Sequence, residues 1–429
     1  MIRALRHGDR RLDGALLESS IERARRSAPT GLVPIRSADP LEAVVDALAV
    51  RLAGGVPLLG DDRWSDAHWA GLTRRLAGAP MPEGAAWATF TSGSTGSPRI
   101  LLRTERSWRS SFDALGDALR LGDDETVHLP VSLLSSMTVS SIVHAAAIGA
   151  AVVLPRRHGV VAADLGTATW AHVTPLGLEA IVAALDAGAP SRLRAVQVGG
   201  APLGPELRAR AESHGLRVIA YYGAAELSYV ALDDDGRGLR PFDGVELRAT
   251  GGRLEVRSPY LALEARDADG RATWRPDAEG WGAAADAVEL GADARGPLLR
   301  VRGRRDSAFL SAGATVLPED VEAAFAGMPG IRAAVALGLD EPRVGALVVL
   351  VVEPDPAVAL DADALRRRAR SRLPRSHWPR RWFVAAPLPR TAGGKPARAE
   401  IARLAAAGAL APCPRAGAAA GSTVTEEAR

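Results

Sequence analysis

Thr89-Phe90-Thr91-Ser92-Gly93-Ser94-Thr95-Gly96-Ser97-Pro98-Arg99 follows an apolar segment and precedes Ile100-Leu101-Leu102, which reads as a strand. Glycine frees the backbone, so this stretch can turn tightly with its amides pointing inward. The serine and threonine hydroxyls add donors. Such a lining suits a polyphosphate. It is not a Walker A loop, because no Gly-x4-Gly-Lys-Ser/Thr spacing is present and no helix opens directly after it. A flexible Ser/Gly linker is the alternative, but linkers rarely lie between two apolar segments with hydroxyls this dense. The stretch is read as a phosphate loop.

On either side the chain changes character. Residues 1–80 are rich in Ala, Leu and Arg, with helical spacing over 41–52. Downstream, 127–130 and 151–154 read as strands around a small-residue helix, and 195–198 and 217–220 flank a helix over 204–214. Strands alternating with helices predict a parallel, layered α/β core. From about 245 to 302 the text becomes short β-rich pieces separated by Gly, Pro and Asp. After Gly303 a second, α+β unit is expected, with helices over 318–326 and 362–373 and a strand pair over 333–339 and 344–352. The expected domains are therefore 1–302, 303–410 and a disordered tail over 411–429.

The 429 residues exceed one ordinary core, and 47% hydrophobic with 24% charged residues is ordinary for a globular protein. A formal net charge of +3 does not argue for nucleic acid. Cys413 is the only cysteine, so no intrachain disulfide can form. The charged residues 1–12 lack a signal-peptide core, and the apolar run 142–154 contains His144 and is too short to span a bilayer. A cytoplasmic protein without membrane or nucleic-acid partners is expected. Of 53 basic residues only Lys395 is a lysine, and asparagine is absent. A composition that supplies arginine wherever a generic positive charge will do has kept one compact ammonium on a flexible stem. Lys395 is thereby marked as a candidate catalytic residue.

The loop at 89–99 resembles the Thr-Ser-Gly-Ser-Thr-Gly-x-Pro-Lys signature of the adenylate-forming superfamily, which includes acyl-CoA synthetases, luciferases and peptide-synthetase adenylation domains. Further segments match in order: Gly199-Gly200-Ala201-Pro202-Leu203, Tyr221-Tyr222-Gly223-Ala224-Ala225-Glu226, residues 280–286 ending in Asp286, residues 303–306 with 313–322, and residues 389–395 ending in Lys395. With about 90 residues before the loop, the chain is similar to compact members such as o-succinylbenzoate–CoA ligase. The resemblance implies a large layered α/β domain and a small mobile α+β lid that rotates about Asp306 between half-reactions.

It also implies chemistry. A carboxylate reacts with ATP to give acyl-AMP and pyrophosphate, and the acyl group then passes to a thiol. Two anions must meet, so positive charge and oriented donors should carry most of the catalysis. The loop Thr91, Ser92, Gly93, Ser94, Thr95 and Gly96 would hold the phosphates, Gly200 and Ala201 the adenine, and Tyr222 would stack on it beside Gly223 and Ala225. Glu226 would ligate Mg2+. Asp286 and Arg304 would bind the ribose, and Lys395 would bridge the carboxylate and the α-phosphate. This chain departs from the pattern in four ways. Arg99 replaces the loop lysine. Ala225 replaces a threonine, a loss worth roughly 1–3 kcal/mol if nothing substitutes. Ala284 and Ala285 replace Thr-Gly, and Leu310 stands where a small-domain lysine is usual.

By family position the acid pocket would include Ser132, Leu133, Met137 and Thr174, with Leu134, Ser136 and Leu178. Residues 130–143 contain no carboxylate for a substrate amine, so an α-amino acid would bury its ammonium unpaired. A small aromatic or medium aliphatic acid is expected. His128, His144 and His172 lie in or beside apolar runs and are read as structural. Eight arginines over 366–381 form either a solvated face or a docking surface for an anion. The expected activity is an ATP- and Mg2+-dependent acid–thiol ligase with CoA as acceptor. Loading of a carrier-protein phosphopantetheine and a degenerate nucleotide-binding scaffold are the alternatives.

Overall fold

The computed structural model describes residues 1–413 apart from 63, 77–79, 92–98, 156–158, 161, 268, 305–306, 312–313, 342, 344 and 392–393. The candidate residues Ser92, Gly93, Ser94, Thr95, Gly96 and Asp306, and the side chains of Thr91 and Arg304, lie outside what is described. A larger unit runs through Val301 and a smaller one begins at Arg302.

The larger unit holds a nine-stranded sheet. In spatial order it runs Arg240–Pro241, Ser228–Asp233, Arg217–Ala224, Ala195–Val198, Trp170–Val173, Thr126–His128, Ala151–Leu154, Ala4–His7 and Arg10–Asp13. From Arg217–Ala224 to Ala4–His7 the strands are parallel, and the outer ones are antiparallel. Helices return the chain between parallel strands. Ser136–Ile148 is capped by the Ser135 hydroxyl and stopped by left-handed Gly149, and Pro175–Asp186 starts on proline behind the Thr174 cap. Central strands such as Ala151–Leu154 are buried throughout, as a sheet covered on both faces requires. A six-stranded sheet contains Ala85–Thr91 and its antiparallel neighbour Arg99–Thr104. A four-stranded sheet carries Trp281–Asp293.

The helical spacing of residues 1–80 holds in Pro40–Leu52, which Asp39 caps through the Leu41 amide. It conceals the strands Ala4–His7, Arg10–Asp13, Leu32–Ile35 and Val56–Leu59. Arg10–Asp13 is an edge strand with two exposed arginines, so it carries no apolar alternation to read.

The smaller unit is an α+β layer. Ile331–Glu341 and Gly345–Pro354 pair antiparallel, and Arg381–Val384 joins the latter in parallel. Both faces of this sheet are covered. Val348, Leu350 and Val352 pack with Leu365 and Ala369 of helix Ala362–Arg372, whereas Val349 and Val351 pack with Ile401 and Ala405 of helix Arg398–Ala406. The expected tail needs correction at its start: Ala411–Pro412 pairs with Arg381–Val384, and Cys413 is buried in the same core. Backbone pairing and thiol burial fold in residues whose composition alone reads as loose.

Candidate functional site

Parallel strands aim their carboxyl ends at one edge of the sheet, and loops leaving that edge form the usual crevice of open α/β folds. Here adjacent strands deliver Thr174, Gly199 and the segment Tyr221–Glu226 to that edge. Register pairs Val173 with Val198 and Val198 with Ala220. The Gly199 amide donates to the Val173 carbonyl at 3.0 Å. A side chain at Gly199 would collide with the Tyr221 ring, since its Cβ would lie 2.1 Å from the nearest ring carbons. Gly223 sits where the ladder shifts register, and a Cβ there would meet the Ser228 carbonyl oxygen at 2.2 Å. Both positions accept only glycine because backbone or ring fills the space.

Three motifs far apart in sequence meet at this edge. The ladder pairs Thr91 with Arg99 on either side of residues 92–98. Arg99 Nη2 then donates to Glu226 Oε1 at 2.8 Å. The Tyr222 hydroxyl donates to Asp286 Oδ2 at 2.5 Å, tying the expected adenine-stacking residue to the expected ribose ligand. Gly200 adopts a left-handed conformation, φ 84°, beside Ala201 in the intervening loop.

Behind Ala225 lies an arginine that sequence reading passed over. Arg103 is 1% exposed and stacks on Trp108. Its guanidinium donates to the carbonyls of Ala225 and Tyr260 and to Ser107 Oγ. Burial pushes it down to about 9, which leaves it charged at neutral pH. The backbone on either side of Glu226 is thus held from below: the Ala225 carbonyl accepts from Arg103, and the Glu226 carbonyl accepts from the Ala262 amide.

An anion such as a phosphate would find one donor here. Arg99 Nε is a buried donor with no partner, and one Glu226 carboxylate oxygen is taken by Arg99. Among the described residues no group of three or more His, Cys, Asp or Glu is placed to hold a metal. A metal here would rest on Glu226 and the phosphates, the mode that suits Mg2+.

Of the four expected pocket residues, Ser132 is buried with its hydroxyl accepting from the Leu134 amide, and Thr174 accepts from the Gly177 amide as a helix cap. Leu133 packs against the main core, and the Met137 amide donates to Ser135. None of the four lines the enclosed cavity beneath the strand ends, whose polar wall is Ser111, Ser140, Ser141, His144, His172, Gln197 and Tyr229. The signal for it was Gln197, a lone amide in an otherwise apolar strand. Its side-chain nitrogen donates to the Tyr229 hydroxyl at 2.8 Å.

The histidines here are neutral at pH 7. His172 bonds Ser141 Oγ at 2.6 Å and the Tyr221 hydroxyl at 3.0 Å, and burial pushes it down to about 3. Burial pushes His144, stacked on Phe112, down to about 4. An unfolded chain would bind protons near pH 6.5, which the folded protein refuses. Stability is therefore full above that pH and is lost as pH falls below it. Between pH 7 and 5.5 the two histidines together should cost about 2.5 kcal/mol. Urea midpoints at the two pH values measure this, and equal midpoints would contradict neutral burial.

In the smaller unit Lys395 is exposed at the foot of a short closed loop. The Thr391 amide donates to the Lys395 carbonyl at 2.7 Å, and Arg390 bridges Pro396. Arg390 pairs with buried Glu353 at 2.5 Å. Arg398 grips Glu322 through both oxygens at 2.6 and 2.8 Å. Leu310, in strand Phe309–Ser311, is 61% exposed.

Residues 26–253 match the profile of AMP-binding enzymes, and residues 320–395 match the AMP-binding enzyme C-terminal domain. A probable 2-succinylbenzoate–CoA ligase of Mycobacterium tuberculosis is 30% identical over 384 residues, which cover 86% of this chain and 97% of that protein. The 2-succinylbenzoate–CoA ligase of Salmonella typhimurium is 28% identical over 353 residues, 80% of this chain and 74% of its own. In structure, a variant of Escherichia coli MenE with bound OSB-AMS superposes with a TM-score of 0.80 at 21% identity, covering 94% of this chain and 95% of that one. Among the described residues no helix is long and apolar enough to cross a membrane.

Proposed function

Because this chain belongs to the AMP-binding enzymes, we propose that it is an AMP-forming acid–thiol ligase that activates a small carboxylic acid with ATP and passes the acyl group to CoA. The observation that carries this reading is the 2.8 Å contact between Arg99 and Glu226. It joins the base of the phosphate loop to the strand end where Tyr222 and Asp286 are already bonded. In the first step a carboxylate oxygen attacks the α-phosphorus and the bond to pyrophosphate breaks. In the second a thiolate attacks the acyl carbon and AMP leaves.

Residues 91–96 and Arg99 would hold the phosphates, with Gly200, Ala201, Tyr222, Gly223 and Ala225 around the adenine. Asp286 and Arg304 would take the ribose. Mg2+, when bound through Glu226, supplies charge neutralisation at phosphate oxygens. Lys395 would neutralise the meeting anions, and Asp306 would serve as the hinge of residues 303–413. Arg370, Arg372, Arg375 and Arg381 are exposed and, among the described residues, have no ionic partner, which supports docking of the acceptor's phosphates. The names of the two ligases support CoA as that acceptor.

Pyrophosphate exchange across a panel of aromatic and aliphatic acids tests the first step. Exchange with aromatic monocarboxylates is expected. ATP binding without exchange for any acid would leave the degenerate-scaffold reading. Acylation of CoA and of a holo-carrier protein, measured side by side, decides the acceptor, and CoA should be faster.

A further inference from the structure

The segment that carries Lys395 is tied down on both sides by an arginine. Upstream, Arg390 Nη2 donates to Glu353 Oε2 at 2.5 Å, and Glu353 is 4% exposed near the end of strand Gly345–Pro354. Downstream, Arg398 Nη1 and Nη2 donate to Glu322 Oε1 and Oε2 at 2.6 and 2.8 Å. A planar guanidinium gives this paired grip, and an ammonium does not. Between the two anchors the backbone closes on itself. The Thr391 amide donates to the Lys395 carbonyl at 2.7 Å, and the Ala397 amide to the Pro389 carbonyl at 2.8 Å.

The downstream anchor is shared by three elements. Glu322 Oε1 also accepts from the Ala336 amide at 2.7 Å, and Arg398 Nη1 donates to the Ala336 carbonyl at 3.0 Å. Helix Pro318–Ala323, strand Ile331–Glu341 and helix Arg398–Ala406 therefore meet in one cluster. Glu319 adds a second carboxylate, its Oε1 3.4 Å from Arg398 Nη2. The cluster reaches Gly303, where a Cβ would lie 2.4 Å from Glu319 Oε2. Burial pushes the Glu322 carboxyl above the usual carboxylate range, against the pull of Arg398. Without Arg398 that carboxylate would be left unpaired.

A charge lowers a barrier only from a fixed place, and a misplacement of about 1 Å can cost roughly 100-fold in rate. A lysine stem of four flexible carbons supplies no fixity of its own. The backbone beneath it must.

We propose that Arg398 and Arg390 are positioning residues for Lys395. They hold the backbone under the lysine, so that its ammonium meets the reacting anions from a rigid base. The inference rests on the acid-activating reading and on the role given there to Lys395.

The lone lysine makes the test direct. Protein labelled with [15N]lysine gives a single lysine amide resonance, that of Lys395. Its order parameter should be about 0.85 in the parent and below about 0.6 in Arg398→Met/Glu322→Gln. That pair of changes removes the ion pair without stranding Glu322, so its melting temperature should stay nearer the parent's than that of Arg398→Met. With the fastest acid of the panel, the exchange kcat should fall about 30-fold while KM for ATP moves less than about 3-fold. Thioester formation from presynthesised acyl-AMP should hold. Arg390→Met/Glu353→Gln should behave alike, and it decides the matter if the first pair does not fold by circular dichroism. An amide already mobile in the parent, or one that stays rigid in both variants, overturns the anchorage. A mobile amide with parental kcat overturns its part in catalysis. Silence with every acid instead removes the activation reading, and this inference with it.

Discussion

Lys395→Ala is expected to lower adenylation at least 100-fold, the cost of removing one charge aimed at a transition-state oxygen. Thioester formation from presynthesised acyl-AMP should stay within a few-fold of the parent, because the lysine's proposed work ends when the anhydride forms. The loop itself should survive the change. Its closure is by backbone, Thr391 amide to Lys395 carbonyl, and its flanks are held by Arg390 on Glu353 and by Arg398 on Glu322. Loss of adenylation therefore reports the ammonium rather than a collapsed loop. Equal loss in both half-reactions would contradict the assignment. Lys395→Arg should remain impaired, since a broad planar fork does not replace a compact ammonium. Near-parental exchange by that variant would return the lone lysine to an accident of composition.

Arg103→Met carries the largest expected effect on stability. Methionine keeps the length of the stem and removes every donor, so the buried carbonyls of Ala225 and Tyr260 lose their partner. At about 1–3 kcal/mol for each orphaned acceptor, with the lost stacking on Trp108 added, the expected destabilisation is about 4 kcal/mol. Urea unfolding measures it. Exchange activity should fall as well in the folded fraction, because the backbone before Glu226 is released from below. A change under about 1 kcal/mol would mean that the two carbonyls find other donors.

Residues 89–99 could be read as a phosphate loop because glycine and hydroxyl density is a property of neighbours in the chain. The parallel strands were readable for the same reason: an apolar run bounded by turns announces itself locally. Arg10–Asp13 did not, since an exposed edge strand has no burial pattern to print on its sequence. Arg103 looked like any of 52 arginines until the fold put Trp108 beneath it and two carbonyls around it. Ala411–Pro412 read as tail because its order comes from a strand partner some thirty residues earlier.

The sequence by itself determined the inventory and its order: a loop dense in glycine and hydroxyls, a strand-end tyrosine and glutamate, a distant aspartate, and one lysine where arginine was otherwise used throughout. Those are chemical identities, and they belong to single residues. What only the tertiary structure decided is which identities act on one another. Arg99 lies 127 residues from Glu226, and Tyr222 lies 64 from Asp286, and only the packing of three sheets against one another closes those gaps. The charge of His144 is likewise not in its name. Burial against Phe112, away from water, makes it neutral and leaves its Nε2 without a partner.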